Sequence, residues 1–419
     1  MTPERRQQWN WALYDWANSA FATTVMAGLF PIFFKQYWHQ GVDAQTSTFH
    51  LGLGNSVASI IVLFLAPILG ALADGGIGKK RLLAIFMLLG VAGTAGLYFV
   101  PQGEWRWALG LFVLGTLGFS GGMVFYDALL VDVATPQDSD RVSALGYGLG
   151  YLGGGILFAL NVAMTLKPEL FGLSGKTQAV QLAFLTVAGW WLLFSLPLLT
   201  RVRERRAPSQ APWFRAIPLA FRQLWHTAGH LRRDRTVLTF LLAYWLYIDG
   251  VDTIIKMAVD FGLALGFPDS SLIIALLLVQ FVGFPAAIAF GYLGGWLGTK
   301  RAIFLGLAVY IGVTFWAYFL QTVAQFYAMA LVIGLVQGGV QALSRSFYSR
   351  LIPAERAAEY FGFYNMLGKF AAIIGPILVG WSALVTGSSR VSILTILVLF
   401  IGGALLLSRV QNPSPRPTV

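Results

Sequence analysis

Apolar stretches of roughly 20 residues recur about twelve times in this chain of 419 residues, starting near residues 12, 50, 82, 107, 142, 179, 236, 271, 302, 324, 357 and 390. Each is long enough to cross the hydrocarbon core of a bilayer, where backbone N–H and C=O groups have no water to bond. Helices and closed barrels are the only conformations that satisfy those groups internally. The stretches lack the alternation of barrel strands, so the expected fold class is an all-α membrane protein with twelve transmembrane helices. Charge is correspondingly scarce. Only 11% of residues are charged and 57% are hydrophobic, with a mean hydropathy of +0.69, whereas about a quarter of residues are charged in soluble domains.

Two loops share a cationic punctuation. Gly70-Ala-Leu-Ala-Asp74-Gly-Gly-Ile-Gly78-Lys79-Lys80-Arg81 and Gly291-Tyr-Leu-Gly-Gly295-Trp-Leu-Gly298-Thr-Lys300-Arg301 lie 221 residues apart by first glycine (291 minus 70), about half the chain. Each joins two apolar stretches, which is the mark of a duplicated membrane bundle. Weaker echoes pair Asp15 and Asn18 of the first helix with Asp249 and Asp252 of the seventh, and Pro136 with Pro353. The expected organisation is two pseudo-symmetric six-helix bundles, 1–199 and 236–419, joined by a basic linker over 200–235 that carries nine Arg together with Pro208, Pro212 and Pro218. Within the linker, Trp213, Ile217, Phe221 and Leu224 share one helical face, a pattern suited to lying in the membrane interface.

Positively charged loops resist translocation. With both termini inside, 22 of the 29 Lys and Arg residues fall on the inner side, among them Arg345, Arg350 and Arg356, and five on the outer side. Only Lys256 and Lys369 are then left within the membrane. This places the chain as a multi-pass protein of the plasma (inner) membrane with cytoplasmic termini. The net charge of +11 follows from this topology and an anionic inner leaflet, so no nucleic-acid partner is implied. The first apolar stretch is too long for a signal-peptide core, and no cleavage is expected. The chain has no Cys, which excludes disulfides and thiolate chemistry.

The polar residues inside the membrane mark the candidate site. Asp249, Asp252, Lys256 and Asp260 share one stripe of the seventh helix, within an arc of about 80°. A charge at mid-bilayer costs roughly 2.5–3.5 kcal/mol, so these groups must face protein or a wet cavity. Pairing of Lys256 with the flanking carboxylates accounts for part of the charge. One-sided polarity recurs on the fourth helix (Thr116, Ser120, Asp127), the tenth (Gln337, Gln341, Ser344, Tyr348) and the first (Asp15, Asn18, Ser19, Thr23). The first, fourth, seventh and tenth helices hold equivalent places in successive three-helix units, and such helices converge on a central cavity in 3+3 repeats. Asn365 and Lys369 of the eleventh helix are a turn apart, and Lys369 is the expected counter-charge to the carboxylates of the fourth or seventh helix.

Other motif matches carry no chemistry. Gly118-Phe-Ser120-Gly121-Gly122 fits G-x-S-x-G but lies inside an apolar helix with no preceding strand. Gly146, Gly150 and Gly154 form a small-residue stripe for close helix contact, which outweighs the overlapping G-x-G-x-x-G match. His226 and His230 have metal-compatible spacing without a carboxylate nearby. No metal and no cofactor are expected.

The two loops resemble the signature between helices 2 and 3, and 8 and 9, of the major facilitator superfamily. The second copy departs from it, with Gly295 where an acidic residue is common. The resemblance implies that Gly70, Asp74, Gly78, Lys79, Lys80 and Arg81 gate the cytoplasmic side, as do Gly291, Gly298, Lys300 and Arg301. The run Tyr14-Asp15-Trp16-Ala17-Asn18-Ser19-Ala20-Phe21 resembles the first-helix signature of the vacuole-effluxer branch, related to autophagy-linked vacuolar amino-acid exporters. That resemblance implies a secondary transporter, not an enzyme, carrying amino acids or similar small zwitterions, with a coupling proton as a candidate partner and a monomeric unit. No nucleotide-binding loop is present to supply energy otherwise. Two alternatives stand beside it: a proton-coupled exporter of lipophilic cations or lipid-like molecules, and a non-transporting receptor.

Overall fold

The structure is a computed structural model that describes residues 2–205, 227, 229 and 233–412, with the side chains of 44, 45, 48, 256, 259, 260, 269, 270, 371–373 and 389 outside the description. The interfacial linker face of Trp213, Ile217, Phe221 and Leu224, and the His226/His230 pair, lie outside the described residues. So do the side chains of Lys256 and Asp260.

Among the described residues, twelve helices are long and apolar enough to cross a membrane: α1 (Pro3–Trp38), α2 (Phe49–Ile77), α3 (Lys79–Phe99), α4 (Trp105–Val133), α5 (Ser139–Leu166) and α6 (Lys176–Arg201) in the first half. The second half holds α7 (Arg235–Ala264), α8 (Ser271–Leu297), α9 (Thr299–Ala317), α10 (Val323–Leu351), α11 (Ala354–Thr386) and α12 (Arg390–Ser408). No strand occurs among the described residues. Helix α1 begins nine residues earlier than its apolar stretch, because Thr2 caps it and Pro3 opens it with a preset φ. It then loosens into π-helix over Phe21–Leu29. In the second half, a Thr322/Gln325 capping box starts α10.

The two halves repeat. Helix α1 packs on α5 and α6, α3 on α4, and α2 on α4; in the second half α7 packs on α11 and α12, α9 on α10, and α8 on α10. Each contact recurs with six added to both helix numbers, which is what a duplicated bundle requires. The seams between the halves follow the same rule, α2 against α11 and α5 against α8. Gly78 and Gly298 turn the chain between α2 and α3 and between α8 and α9 at nearly the same dihedrals (φ 94°, ψ 139° and φ 87°, ψ 136°). A positive φ there suits glycine and strains other residues. These two turns, the start of α1 and the end of α12 lie at one end of the bundle, the basic end.

Candidate functional site

The two halves meet at the basic end around one side chain that the loop count misplaced. Arg345 belongs to helix α10, not to an inner loop, and is fully buried. Its Nη1 lies 3.0 Å from Asp127 Oδ1 and 3.6 Å from Asp15 Oδ2. Its Nε donates to Ser143 Oγ and its Nη2 to the Ser143 carbonyl, both at 2.9 Å. The guanidinium carbon sits 4.4 Å from the ring centre of Tyr147, 4.9 Å from that of Trp11 and 5.2 Å from that of Tyr126. Every one of those partners is in the first half, so one arginine of the second half fills a cage built by α1, α4 and α5.

Local packing explains the cage. Trp11 stacks on Tyr126 with ring centres 4.4 Å apart and its indole N–H donates to the Tyr126 carbonyl. The Tyr126 hydroxyl donates to Asp15 Oδ2 at 2.8 Å, leaving that carboxylate aimed at Arg345. Gly146 lets α5 come this close. A Cβ there would lie 2.8 Å from Asp15 Oδ2 and 3.1 Å from Arg345 Nη2. Gly150 and Gly154 continue the contact against Ser19 and Thr23, so the small-residue stripe is a packing face. Removing one partner of a buried, hydrogen-bonded ion pair costs about 3–5 kcal/mol, and here both carboxylates depend on one cation from the other half.

Arg345 is thus a counter-charge to the fourth-helix carboxylate Asp127 and to Asp15. Asn365 does reach the site, donating to Asp127 Oδ2 at 3.0 Å; Lys369 is half-buried a turn further along α11. Toward the membrane centre, Gln337 donates to the Tyr151 hydroxyl at 2.8 Å, again across the halves, and Gln341 is half-buried. Toward the basic end, Asp140 of α5 accepts from Ser346 (2.5 Å), Thr299 (2.6 Å) and Arg350 (2.9 Å) of the second half. Ser139 bonds Ser349 and Ser346 beside it. Asp140, Ser143, Ser346 and Arg350 were not among the sequence candidates. Arg345 itself had a signal, because Gln337, Gln341 and Arg345 follow at four-residue steps and so share one helix face.

The remaining candidates divide. Asn18 is buried and its side-chain amide faces Met123 Sδ at 3.2 Å. The hydroxyls of Thr23 and Thr116 bond carbonyls of their own helices, while the buried Ser120 hydroxyl has no hydrogen-bond partner among the described residues. The echo between Asp15 and Asp249 holds in position and burial but not in environment. Asp249 accepts from the Gly375 amide at 3.0 Å, a bond between α7 and α11 within the second half; Asp252 is half-buried one turn on.

The loop residues behave unequally. Gly70 abuts α11, where its Cβ would run into the Ala358 carbonyl oxygen, and Gly291 abuts Ala144 of α5. Asp74 accepts from the Glu359 amide in the first turn of α11 at 2.8 Å. Lys79 pairs with Asp132 of the first half at 2.7 Å, and Lys80 bonds the Val202 carbonyl just past the end of α6. Lys300 bonds the carbonyls of Ser408 and Val410 at the end of α12. Arg81 and Arg301 are exposed. Of the loop cations, then, Lys79, Lys80 and Lys300 brace their own halves.

Comparison with known proteins matches this architecture. The family described as vacuole effluxer Atg22 like covers residues 3–137 and 131–417. The uncharacterized MFS-type transporter YxiO of Bacillus subtilis is 39% identical over 409 residues, 97% of this chain and 95% of its own length. Autophagy-related protein 22 of Eremothecium gossypii is 23% identical, covering 90% of this chain and 85% of its own. Among solved structures, the human organic anion transporter MFSD10 superimposes with a TM-score of 0.76 at 17% identity, covering 97% of this chain and all of that one. FucP in the outward conformation gives 0.73 at 13% identity, covering 98% and 99%. The structural likenesses share a fold, and the sequence matches share ancestry. The chain belongs to the Atg22-like vacuole effluxer family and has the fold of a major facilitator superfamily transporter.

Proposed function

We propose that this secondary transporter carries amino acids or similar small zwitterions by alternating access, with the Asp15–Arg345–Asp127 cluster as the element that cargo must break. The observation that carries the reading is the burial of one arginine from the second half between two carboxylates of the first. A zwitterion offers both complements, an ammonium for the carboxylates and a carboxylate for the guanidinium. It therefore exchanges the two intramolecular pairs of Arg345 for intermolecular ones on both charges. Membership of a family described as vacuole effluxers supports efflux. A proton on one of the carboxylates is the candidate coupling species.

The basic end is assigned to the cytoplasm, from the excess of Lys and Arg in its loops. Moving Arg345 into the bundle lowers the inner count from 22 to 21 against five, which leaves the orientation intact. Asp140 with Arg350, and Asp74 with the Glu359 amide, serve as the cytoplasmic gate. The plasma membrane and a monomeric unit complete the proposal.

Counterflow tests it. Proteoliposomes preloaded with an amino-acid mixture should take up labelled amino acids transiently, and Asp127→Asn should abolish the overshoot. Absence of exchange for every amino acid, with lipophilic cations exchanging instead, would replace the zwitterion reading by a cation exporter; binding without exchange of either would make the protein a receptor.

A further inference from the structure

The cage that holds Arg345 has the composition of a cation receptor rather than of a simple latch. Three aromatic rings, Trp11, Tyr126 and Tyr147, stand 4.4–5.2 Å from the guanidinium carbon. Asp127 and the Ser143 hydroxyl and carbonyl accept from its N–H groups, and the Asp15 carboxylate pairs with it at 3.6 Å. Aromatic faces combined with carboxylates are the way proteins bind organic cations out of water. All of these walls belong to the first half, while the occupant arrives from the second. A rigid-body opening of the basic end therefore withdraws Arg345 and leaves the cage intact, empty and carrying two carboxylates inside the bundle.

We propose that this cage is a cation-binding subsite which Arg345 fills as an internal ligand while the basic end is closed, and which receives the guanidinium or ammonium group of the cargo when that end opens. The inference rests on the transport reading above and sharpens it. The cationic group of the cargo is assigned to Trp11, Asp15, Tyr126, Asp127, Ser143 and Tyr147, and Arg345 becomes its competitor. Cargo cation and Arg345 then exclude each other, which ties opening to occupancy: an empty carrier stays closed because its own arginine is the resident ligand. A pair that only latched the seam would bind its arginine and no free ion.

Chemical rescue separates these cases. Arg345→Ala removes the side chain beyond Cβ, and ethylguanidinium restores the missing atoms. The full chain, purified in lipid nanodiscs, should lose several degrees of thermal stability on Arg345→Ala. Millimolar ethylguanidinium should recover at least half of that loss, and neutral ethylurea none. Equal response to both, or to neither, overturns the proposal. If the variant does not fold, the second measurement uses Arg345 intact. The chain has no Cys, so Ser139→Cys places a lone thiol at the closed seam. Ethylguanidinium should raise its labelling by a membrane-impermeant maleimide severalfold, and Asp15→Asn with Asp127→Asn should remove that rise. Unchanged labelling overturns the proposal too. Amino-acid counterflow that persists while both cation tests fail would sink this assignment alone, whereas cation rescue without counterflow would sink the transport reading alone.

Discussion

The α2–α11 and α5–α8 seams are related by the internal duplication, yet they are closed by different chemistry. At the first, Asp74 comes from the loop and accepts a backbone amide, that of Glu359, in the opening turn of α11. This is an anion at the positive end of a helix, worth about 0.3–1 kcal/mol. At the second, the loop has Gly295 in place of an acid, and the carboxylate comes from the opposing helix: Asp140 of α5 meets Arg350, Ser346 and Thr299. The backbone has kept the symmetry, with Gly78 and Gly298 in matching turns and Gly70 and Gly291 in matching close approaches. The charges have not. Duplication preserves the shape of a seam, and each copy is free to reassign which side brings the anion.

Four substitutions probe this contrast, in descending order of expected effect. Gly70→Ala should open the α2–α11 seam, because the added Cβ would collide with backbone, the Ala358 carbonyl oxygen. Overpacking of this kind costs about 1–3 kcal/mol, read as faster maleimide labelling of the thiol in the Ser139→Cys reporter. Asp140→Asn comes next. It strips Arg350 of its ionic partner, and a hydrogen bond to a charged group is worth about 1.5–3 kcal/mol, lowered to about 1–2 kcal/mol by the partial exposure of Arg350. Its effect on thermal stability should shrink in high salt, whereas Gly70→Ala should be salt-independent. Gly291→Ala should cost less than Gly70→Ala, since its new Cβ meets the Ala144 side chain at 2.5 Å, and Ala144→Gly should rescue it. Gly295→Asp restores the acid the second loop lacks. It should change stability by no more than about 0.5 kcal/mol, because nothing lies within 4 Å of that position and Asp140 already holds the donors.

Much of the fold could be read from the sequence because lipid imposes it. Eleven of the twelve apolar stretches begin within a turn of their helices, and the two loop copies announced the duplication. Helix α1 shows the limit: hydropathy starts it at residue 12, yet the helix starts at Pro3 because its first turns are polar and capped rather than apolar. A second limit hid Arg345. The tenth-helix stripe already runs through Ser344 to Tyr348, yet charge counting takes the arginine between them for part of an inner loop. The helix instead runs on to Leu351, and the charge of Arg345 is offset by partners more than 190 residues away in sequence, Asp15, Asp127 and Ser143. Long-range pairing leaves no local trace. On the seventh-helix stripe, Asp249 accepts from the Gly375 amide, a contact between α7 and α11 that helical periodicity alone does not reveal.

Whether a cross-half ion cluster holds the basic end shut until cargo replaces its cation is tested most directly by distance. Spin labels at Arg81 and Arg301, exposed positions in the two halves at the basic end, are read by pulsed electron paramagnetic resonance on the otherwise cysteine-free chain. One short distance is expected in the unliganded protein, with a second, longer population that grows both with Asp127→Asn and with added transported zwitterion. A distribution that neither the substitution nor the cargo moves would contradict the cluster's role as the lock.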